Sequence, residues 1–563
     1  MDKADDDIPY LMRGVTRMAT ESSVLISSSA YLNDAELRDW IAYVMLRRNG
    51  ADDPPENETV QLAQILGRVQ DRPRITRLIA EERARNPAFD AWLAERFVST
   101  FTVEDLAACP PGSVGQILAA RIGAGAHGAD IVPARAALDD YDYILLRQAQ
   151  NRWLEHIVAG ASFDHFGELT VHFVHLANLF RSLDPGLAGE LAVFRILAAL
   201  RYIPRTILHY PQATMTLFQG IIRGRMFGLE SAPIFALRYE DVLNLTPELA
   251  RERLGLAAAE AFDTSTASAI WTESPETVRP PGDALVAQPH SRLLSNSKFL
   301  NHAGLRDWCA RDMLRRNGPD QASPAGGYEA IRILEDDLQD DGRVERLLEA
   351  ERKIHPGLDK WLSEARVPTY TTEDLRGLPE NSLGAILHDY VVQKNFELDF
   401  HPPQPKTLYA LTRWMRGRSH DIEHILLGAG FDYLAEIIPS YYCMAQLHRA
   451  FNPDLAGELS QPYLVSSLRY TVRTVLHYPQ TWPTALDCIE RGIRAGLESD
   501  FNYMTDFEPY LHMSLPQARK ALGIRGAQDV DTEPMSLIWG DASHRTLLEV
   551  SAEHAARRLS PQA

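Results

Sequence analysis

Several classes of signal are scarce or missing in this chain of 563 residues. It has four cysteines, none in a CxxC pair and no two close in sequence, which excludes a disulfide framework and indicates free thiols in a reducing compartment. No stretch approaches the roughly 18 apolar residues of a membrane-spanning helix. Alternating and β-branched runs are scarce, so little or no sheet is expected. The acidic start, MDKADDDIPYLMRG, lacks the apolar core of a secretory signal, so secretion is not expected.

Basic residues are also fewer than acidic residues. Lys and Arg number 57 against 76 Asp and Glu, giving a formal net charge of -19. Nucleic acids are bound through clustered basic side chains, so a nucleic-acid partner is not expected. The same charge opposes electrostatic adhesion to anionic lipid. We therefore expect a cytoplasmic protein, whose membrane contact would be peripheral, at the inner face, and hydrophobic or locally basic.

Three blocks of sequence recur at an offset of 268 residues. They are ELRDWIAYVMLRRNG (36–50) and GLRDWCARDMLRRNG (304–318), DPGLAGEL (184–191) and NPDLAGEL (452–459), and RTILHYPQ (205–212) and RTVLHYPQ (473–480). A period this long indicates a duplicated domain rather than a solenoid. The Pro-rich stretch 274–292 is the predicted linker. We divide the chain into an N-terminal tail (1–21), a first repeat (22–289) and a second repeat (290–563), and predict that the repeats pack as a pseudo-dimer.

The hydrophobic pattern within each repeat is helical. Leu37, Ile41 and Val44 recur at steps of four and three and line one face of a helix. Helix ends are marked as well, for example by Thr246 as an N-cap before a proline and by Gly255 as a stop. These patterns predict an all-α fold.

The segment RGRSHDIEHILLGAGFDYLAE (416–436) carries the candidate chemistry. At about 100° per residue, His420, Asp421 and His424 fall within one arc of a helix. Two imidazoles and a carboxylate on one arc can share a metal ion.

A Gly-Ala-Gly sequence then ends this helix, and Asp432 is predicted to cap the next one. Glu436 is expected one turn into that second helix, so that it meets the histidines at the corner. Two nitrogens and two oxygens suit Zn²⁺ or another borderline divalent ion, with an open position for substrate.

Other interpretations of the same residues remain open. Two histidines four residues apart on a helix also occur as an ordinary polar patch. A zincin protease fits poorly, since its H-E-x-x-H motif uses a Glu as general base where Asp421 stands here. A phosphohydrolase of the HD type would need a further upstream His and a distant Asp, which we do not identify.

The H-D-x-x-H motif followed by eleven residues and Glu closely resembles the signature of the coenzyme Q (ubiquinone) biosynthesis protein 4 family. The turn LPENSLG (378–384) is similar to that family's Leu-Pro-x-x-Thr/Ser-Phe/Leu-Gly turn. The segment DFEPYLHMSLPQARKALGI (506–524) resembles its Trp-Glu ending, with Phe507 in place of Trp. The resemblance covers most of the second repeat, and a degenerate version covers the first. The tandem form departs from the usual single domain.

The resemblance implies an all-helical protein, oligomeric and soluble or peripherally attached to membranes, that acts on prenylated aromatic intermediates of ubiquinone. It implies metal ligation by His420, Asp421, His424 and Glu436, with zinc as the expected ion. The implied activity is a metal-dependent oxidative decarboxylation and hydroxylation at ring carbon 1. Two alternatives stay open: a non-catalytic lipid-binding scaffold for other quinone-biosynthesis enzymes, which would be its partners, and a relative that tailors another aromatic such as a polyketide.

The first repeat keeps only half of the four ligands. Subtracting 268 converts His424 and Glu436 into His156 and Glu168, but His420 becomes Arg152 and Asp421 becomes Trp153. A guanidinium would repel a metal ion, so this degenerate site is predicted to hold none. We predict instead an ion pair between Arg152 and Glu168, with Trp153 packed over the same corner, and a first repeat that serves as a built-in partner.

Comparing the repeats also sorts the remaining polar residues. His209 and His477 survive in both repeats, which favours a structural role. Glu423 is expected to be solvated or to support a ligand, and Arg416 is expected at the surface. Cys443 stays open as a residue that lines the pocket.

Overall fold

The computed structural model describes residues 27–50, 57–125, 130–272, 295–317, 326–338, 341–366, 368–394, 407–417 and 419–540. The predicted tail (1–21) and linker (274–292) lie outside the described residues, so the boundaries of the two repeats stay a prediction. Within the described part there is no β-strand, only two isolated bridges, which confirms the all-α prediction.

The helices that fall before the predicted linker are α1 (Ala30–Asn33), α2 (Ala35–Leu46), α3 (Glu58–Val69), α4 (Arg72–Arg85), α5 (Pro87–Glu95), α6 (Val103–Ala107), α7 (Val114–Gly123), α8 (Asp140–Val158), α9 (His165–Ser182), α10 (Pro185–Leu200), α11 (Tyr202–His209), α12 (Thr214–Glu230), α13 (Pro247–Leu254) and α14 (Ser265–Trp271).

Those that follow it are α15 (Lys298–Asn301), α16 (Ala303–Leu314), α17 (Gly326–Arg332), α18 (Asp341–Ile354), α19 (Pro356–Glu364), α20 (Thr372–Arg376), α21 (Leu383–Lys394), α22 (Leu408–Gly417), α23 (His420–Leu427), α24 (Ile437–Ala450), α25 (Pro453–His477), α26 (Trp482–Glu498), α27 (Leu515–Ala521) and α28 (Glu533–Gly540). None of the described helices has the length and apolar character needed to cross a membrane.

The described residues fall into two compact units. The first comprises those within Met1–Thr206, Gln212–Arg315 and Val472–Pro483, and the second those within Ile207–Pro211, Arg316–Thr471 and Thr484–Ala563. Each unit therefore contains chain from both sequence repeats.

Local sequence explains how individual helices begin and end. In α2, Leu37, Ile41 and Val44 are fully buried, as their spacing predicts. Thr246 caps α13 by accepting a hydrogen bond from the Leu249 amide, and Gly255 ends that helix with a left-handed conformation, φ 67°.

Two serines at equivalent positions make equivalent contacts within the first unit. The Ser29 hydroxyl donates to the carbonyl of Leu314, over 2.6 Å, and the Ser297 hydroxyl donates to the carbonyl of Leu46. The His477 ring also lies on this contact, with Nε2 donating to the Leu314 carbonyl over 2.9 Å. A structural role for His477, predicted from its survival in both repeats, is confirmed.

The corner that follows α23 recurs after α8. Gly428 and Gly160 end these helices with φ values of 74° and 66°. The amides of Val530 and Phe262 donate to their carbonyls, over 3.0 and 2.9 Å. A side chain at either glycine would collide with the approaching backbone, with a Cβ of Gly428 only 2.5 Å from the Gln528 carbonyl oxygen. The glycine therefore permits both the turn and the close approach.

Candidate metal centre

Helix α23 presents two histidines at the start and middle of its short length. His420 is its first residue and His424 lies one turn later, so both rings project from one face, with centroids 4.7 Å apart. Gly428 then reverses the chain and returns it toward the same face. The residues that follow the corner thus meet the two rings.

Three side chains converge at this corner. The Nε2 atoms of His420 and His424 are 3.2 Å apart, and Glu436 Oε2 lies 3.1 Å from the first and 3.5 Å from the second. Within the part of the chain that the structure describes, this is the one group of three His, Cys, Asp or Glu ligand atoms that all lie within 4.8 Å of one another.

The hydrogen bonding of His424 prepares its free nitrogen for a cation. Nδ1 lies 2.6 Å from the carbonyl oxygen of Gly430, which can only accept, so Nδ1 carries the proton. In the neutral ring Nε2 then holds a lone pair, and that lone pair points at His420 and Glu436. A carbonyl that fixes the tautomer in this way is the usual support of a metal-ligating histidine. The donor set therefore fits a divalent ion such as Zn²⁺.

The pKa values of the side chains in the cluster show that it stabilises positive charge. Burial lowers the pKa of His420, but the hydrogen bond and charge of Glu436 outweigh burial and raise that pKa to about 9. Burial raises the pKa of Glu436, whereas the two histidines hold it well below its usual range. The side chains of His420 and Glu436 are 34% and 39% exposed, while that of His424 is 0% exposed. The cluster is thus open to solvent on one side.

Asp421 does not join this group in the structure. It lies on α23 directly after His420 and is partly exposed, but it is not among the converging ligand atoms. Its side chain is one carbon shorter than that of Glu436 and leaves the helix about 100° away from His420. Its role as a fourth ligand stays a prediction.

The expected position of Glu436 within a second helix was wrong. Helix α24 begins only at Ile437, and Glu436 is its N-cap residue. In the first repeat the equivalent helix, α9, starts earlier and Glu168 lies in its first turn. Gly167 explains the difference, since a Cβ there would lie 1.7 Å from the Ser162 carbonyl oxygen. The second repeat has Ala435 at that position, so its first turn cannot pack as closely.

Aromatic rings cover one side of the cluster. Phe431 stacks on His424, with centroids 4.9 Å apart and planes 14° apart, and Tyr390 stacks on the outer face of Phe431. The Tyr390 hydroxyl donates to the Phe431 carbonyl over 3.1 Å. Sequence analysis missed this pair, although an aromatic residue directly after the Gly-Ala-Gly break was a visible signal.

The degenerate site of the first repeat contains the predicted ion pair. Arg152 Nη2 and Nε lie 2.6 and 3.1 Å from Glu168 Oε1, and His156 Nε2 lies 3.0 Å from the same oxygen. Trp153 is buried and stacks on Phe163, with centroids 5.6 Å apart. Both the ion pair and the packing of the tryptophan are confirmed. The guanidinium meets one carboxylate oxygen rather than both, because His156 shares that oxygen.

The surface position expected for Arg416 was wrong, because Arg416 is buried. Glu423 is 1% exposed, which excludes a solvated carboxylate, and its other expected role, support of a ligand, stays a prediction. The two form an ion pair, and Cys443 Sγ lies 3.3 Å from the guanidinium. Arg416 also donates to the Tyr503 carbonyl. Arg416 lies on α22 and Glu423 on α23, so no spacing within one helix could have indicated the pair.

The chain is similar in part to a solved structure. No protein-family model matches the chain, and no curated protein matches it. The chain is similar to a crystal structure from Nostoc punctiforme named a "putative ubiquinone biosynthesis protein", with 22% identity and a TM-score of 0.31. The match covers 40% of this chain and 98% of the solved one. A likeness of this degree does not assign a function to the present chain.

Proposed function

We propose that the protein is a metal-dependent enzyme of ubiquinone or related prenylated-quinone biosynthesis, which replaces the carboxylate on ring carbon 1 of a prenylated aromatic acid by a hydroxyl. The convergence of His420, His424 and Glu436 carries the proposal. The motif resemblance supplies the substrate class.

The chain's own residues would hold and orient the ion and the substrate. The two Nε2 lone pairs and the Glu436 carboxylate would be its ligands, with Asp421 as the proposed fourth. The Gly430 carbonyl holds the His424 tautomer, and Phe431 fixes the plane of that ring. When bound, a divalent ion supplies Lewis-acid stabilisation of the negative charge on a ring carboxylate or adjacent phenolate.

The reaction breaks the bond between ring carbon and carboxylate, releases CO₂ and forms a carbon–oxygen bond. One oxygen atom of O₂ enters the ring. The other takes up two electrons and two protons from an external reductant and leaves as water. Zn²⁺ has no redox chemistry, so the electron-rich ring itself would react with oxygen.

The exposure of the cluster favours an enzyme over a scaffold. A purely structural metal site is closed by its four protein ligands, whereas a catalytic site keeps a position open for substrate. His420 and Glu436 are each more than a third exposed, so that side of the cluster is open to solvent. A scaffold that presents such intermediates, or an enzyme that tailors another aromatic, remains the alternative.

We further propose that the first repeat serves as a built-in partner of the second, in a pseudo-dimer. Two serine contacts support this proposal. Ser29 of the first repeat bonds to the last residue of α16, and Ser297 of the second repeat bonds to the last residue of α2. Peripheral contact with the inner membrane face and self-association are further expectations.

The test uses a prenylated hydroxybenzoate labelled with ¹³C at the carboxylate, with ¹⁸O₂ and a reductant, and the zinc-loaded full chain. We expect ¹³CO₂ release and one ¹⁸O in the ring product. The His420→Ala, His424→Ala variant should do neither, while His512→Ala, at an exposed histidine, serves as the matched control. Substrate binding without CO₂ release would favour the scaffold. Turnover of an unprenylated acid alone would favour the tailoring enzyme.

A further inference from the structure

Arg195 is a buried guanidinium without a direct partner. It lies on α10 and is 6% exposed. No described residue accepts a hydrogen bond from it or forms an ion pair with it. Glu155, Glu168 and Arg152 act on it only through longer-range charge. Because a guanidinium stays charged under all ordinary conditions, such burial is costly unless an anion compensates it.

The neighbouring carboxylates are already engaged. Glu155 lies 2.7 Å from His175, and Glu168 accepts from both Arg152 and His156. Neither carboxylate lies within hydrogen-bond distance of Arg195 in the structure.

His172 is a second buried group without a partner. It lies on α9, one turn after Glu168, and is 3% exposed. Neither ring nitrogen has a hydrogen-bond partner among the described residues. Burial, together with the positive charges of Arg195, Arg201 and Arg152, holds its pKa well below the usual range. The neutral ring keeps one N–H, so this cluster of guanidinium groups also contains an unused donor.

The basic cluster belongs to the first repeat alone. At the positions of Arg152, His172 and Arg195 the second repeat has His420, Ser440 and Tyr463. The repeat that lost two metal ligands has thus gained two guanidinium groups. Positive charge that a metal ion would supply in the second repeat is supplied here by side chains.

We infer that the first repeat binds a small oxyanion, a carboxylate or a phosphate, at Arg195 and His172 beside the Arg152–Glu168 pair. A guanidinium recognises either group through paired N–H donors. Arg152 is 38% exposed, so the cluster reaches the surface on its side. The Glu168 carboxylate, held by Arg152 and His156, lies beside the site and would disfavour a ligand of high negative charge.

The experiment measures anion binding by calorimetry on the full-length His420→Ala, His424→Ala variant, in which the second repeat's metal site is removed. The inference goes beyond the proposed function, and this background keeps the two separate. Inorganic phosphate and benzoate are the probes, and the one that binds more tightly identifies the source of the oxyanion. We expect one anion per chain.

Two variants that restore second-repeat residues test the assignment. Arg195→Tyr should weaken binding at least tenfold, and His172→Ser should weaken it severalfold. Arg68→Gln, at a 52% exposed guanidinium, should leave it unchanged. Absence of binding by either probe, or binding unaffected by both variants, would overturn the inference. If Arg195→Tyr fails to fold, His172→Ser decides, because it removes only a ring without a hydrogen bond.

Discussion

Glu155 and Glu423 hold the same place in the two repeats, and each is buried against a different partner. His175 Nε2 lies 2.7 Å from Glu155, whereas Glu423 pairs with Arg416. The partner residue of each glutamate is absent from the other repeat. The first repeat has Gln148 where the second has Arg416, and the second has Cys443 where the first has His175.

This exchange predicts a rescue. Arg416→Gln should destabilise the protein by about 3 kcal/mol, because Glu423 is 1% exposed and would be left as a buried charge without its guanidinium. Adding Cys443→His recreates the first repeat's pair and should recover at least ~1 kcal/mol. Urea denaturation of both single variants and the double variant measures the coupling. Additive losses would mean that the two arrangements are not interchangeable.

The ion pair of the first repeat should respond unequally to removal of its two members. Glu168 is 3% exposed and Arg152 is 38% exposed. Glu168→Ala removes the oxygen that both Arg152 and the fully buried His156 bond, so it should cost about 3 kcal/mol. Arg152→Gln leaves the carboxylate bonded to His156 and removes a guanidinium that water can reach, so it should cost only about 1 kcal/mol. Equal losses in thermal or urea unfolding would contradict this order.

Metal content should be about one equivalent of divalent ion per chain, because the first repeat has a guanidinium in place of a ligand. Elemental analysis of the purified protein measures it. Two equivalents, or metal that persists in the His420→Ala, His424→Ala variant, would contradict the assignment.

Glu436→Ala should abolish metal binding and activity yet leave the helical circular-dichroism signal intact. The side chain is 39% exposed and makes no capping hydrogen bond to α24, so its loss should cost less than about 1 kcal/mol. Glu349→Ala, at a 53% exposed carboxylate, is the matched control. A large loss of helicity in Glu436→Ala alone would indicate a structural metal site.

His448 should make the protein less stable in acid. Burial lowers its pKa to about 3 in the folded state. Below about pH 6.5 the unfolded chain takes up a proton that the folded chain refuses, so this contribution to stability falls by about 1.4 kcal/mol per pH unit down to pH 3. His448→Phe installs the first repeat's residue, Phe180, and should gain about 3 kcal/mol relative to wild type between pH 7 and pH 4. Parallel stability curves for the two proteins would show that this pKa is not lowered.

Local sequence predicted those features that depend on neighbours along the chain. The buried face of α2 and the caps of α13 follow from helical spacing and from the chemistry of Thr, Pro and Gly. His420, His424 and Glu436 also meet as predicted, because one helical period and one glycine break set their positions.

Features that depend on contacts distant in sequence were not predictable in the same way. The late start of α24 reflects a single methyl group, because the second repeat has Ala435 where the first has Gly167. Arg416 was expected at the surface because its helix was considered without Tyr503 and Glu423. Phe431 could not be placed over His424 without the path of the corner. An alignment of the two repeats shows that His175 is replaced by Cys443 and that Gln148 is replaced by Arg416. Only the two replacements taken together indicate that Glu155 and Glu423 have different partners.

The serine contacts of Ser29 and Ser297 have a further consequence for how the protein responds to dilution. In an assembly of separate subunits such contacts are lost as the concentration falls below the dissociation constant. Here the donors and acceptors belong to one chain, so the local concentration of each for the other is set by their covalent connection and not by the protein concentration. Unfolding midpoints should therefore not change with protein concentration as far as these contacts are concerned. Each half of the chain is then free to accumulate changes that its counterpart does not share.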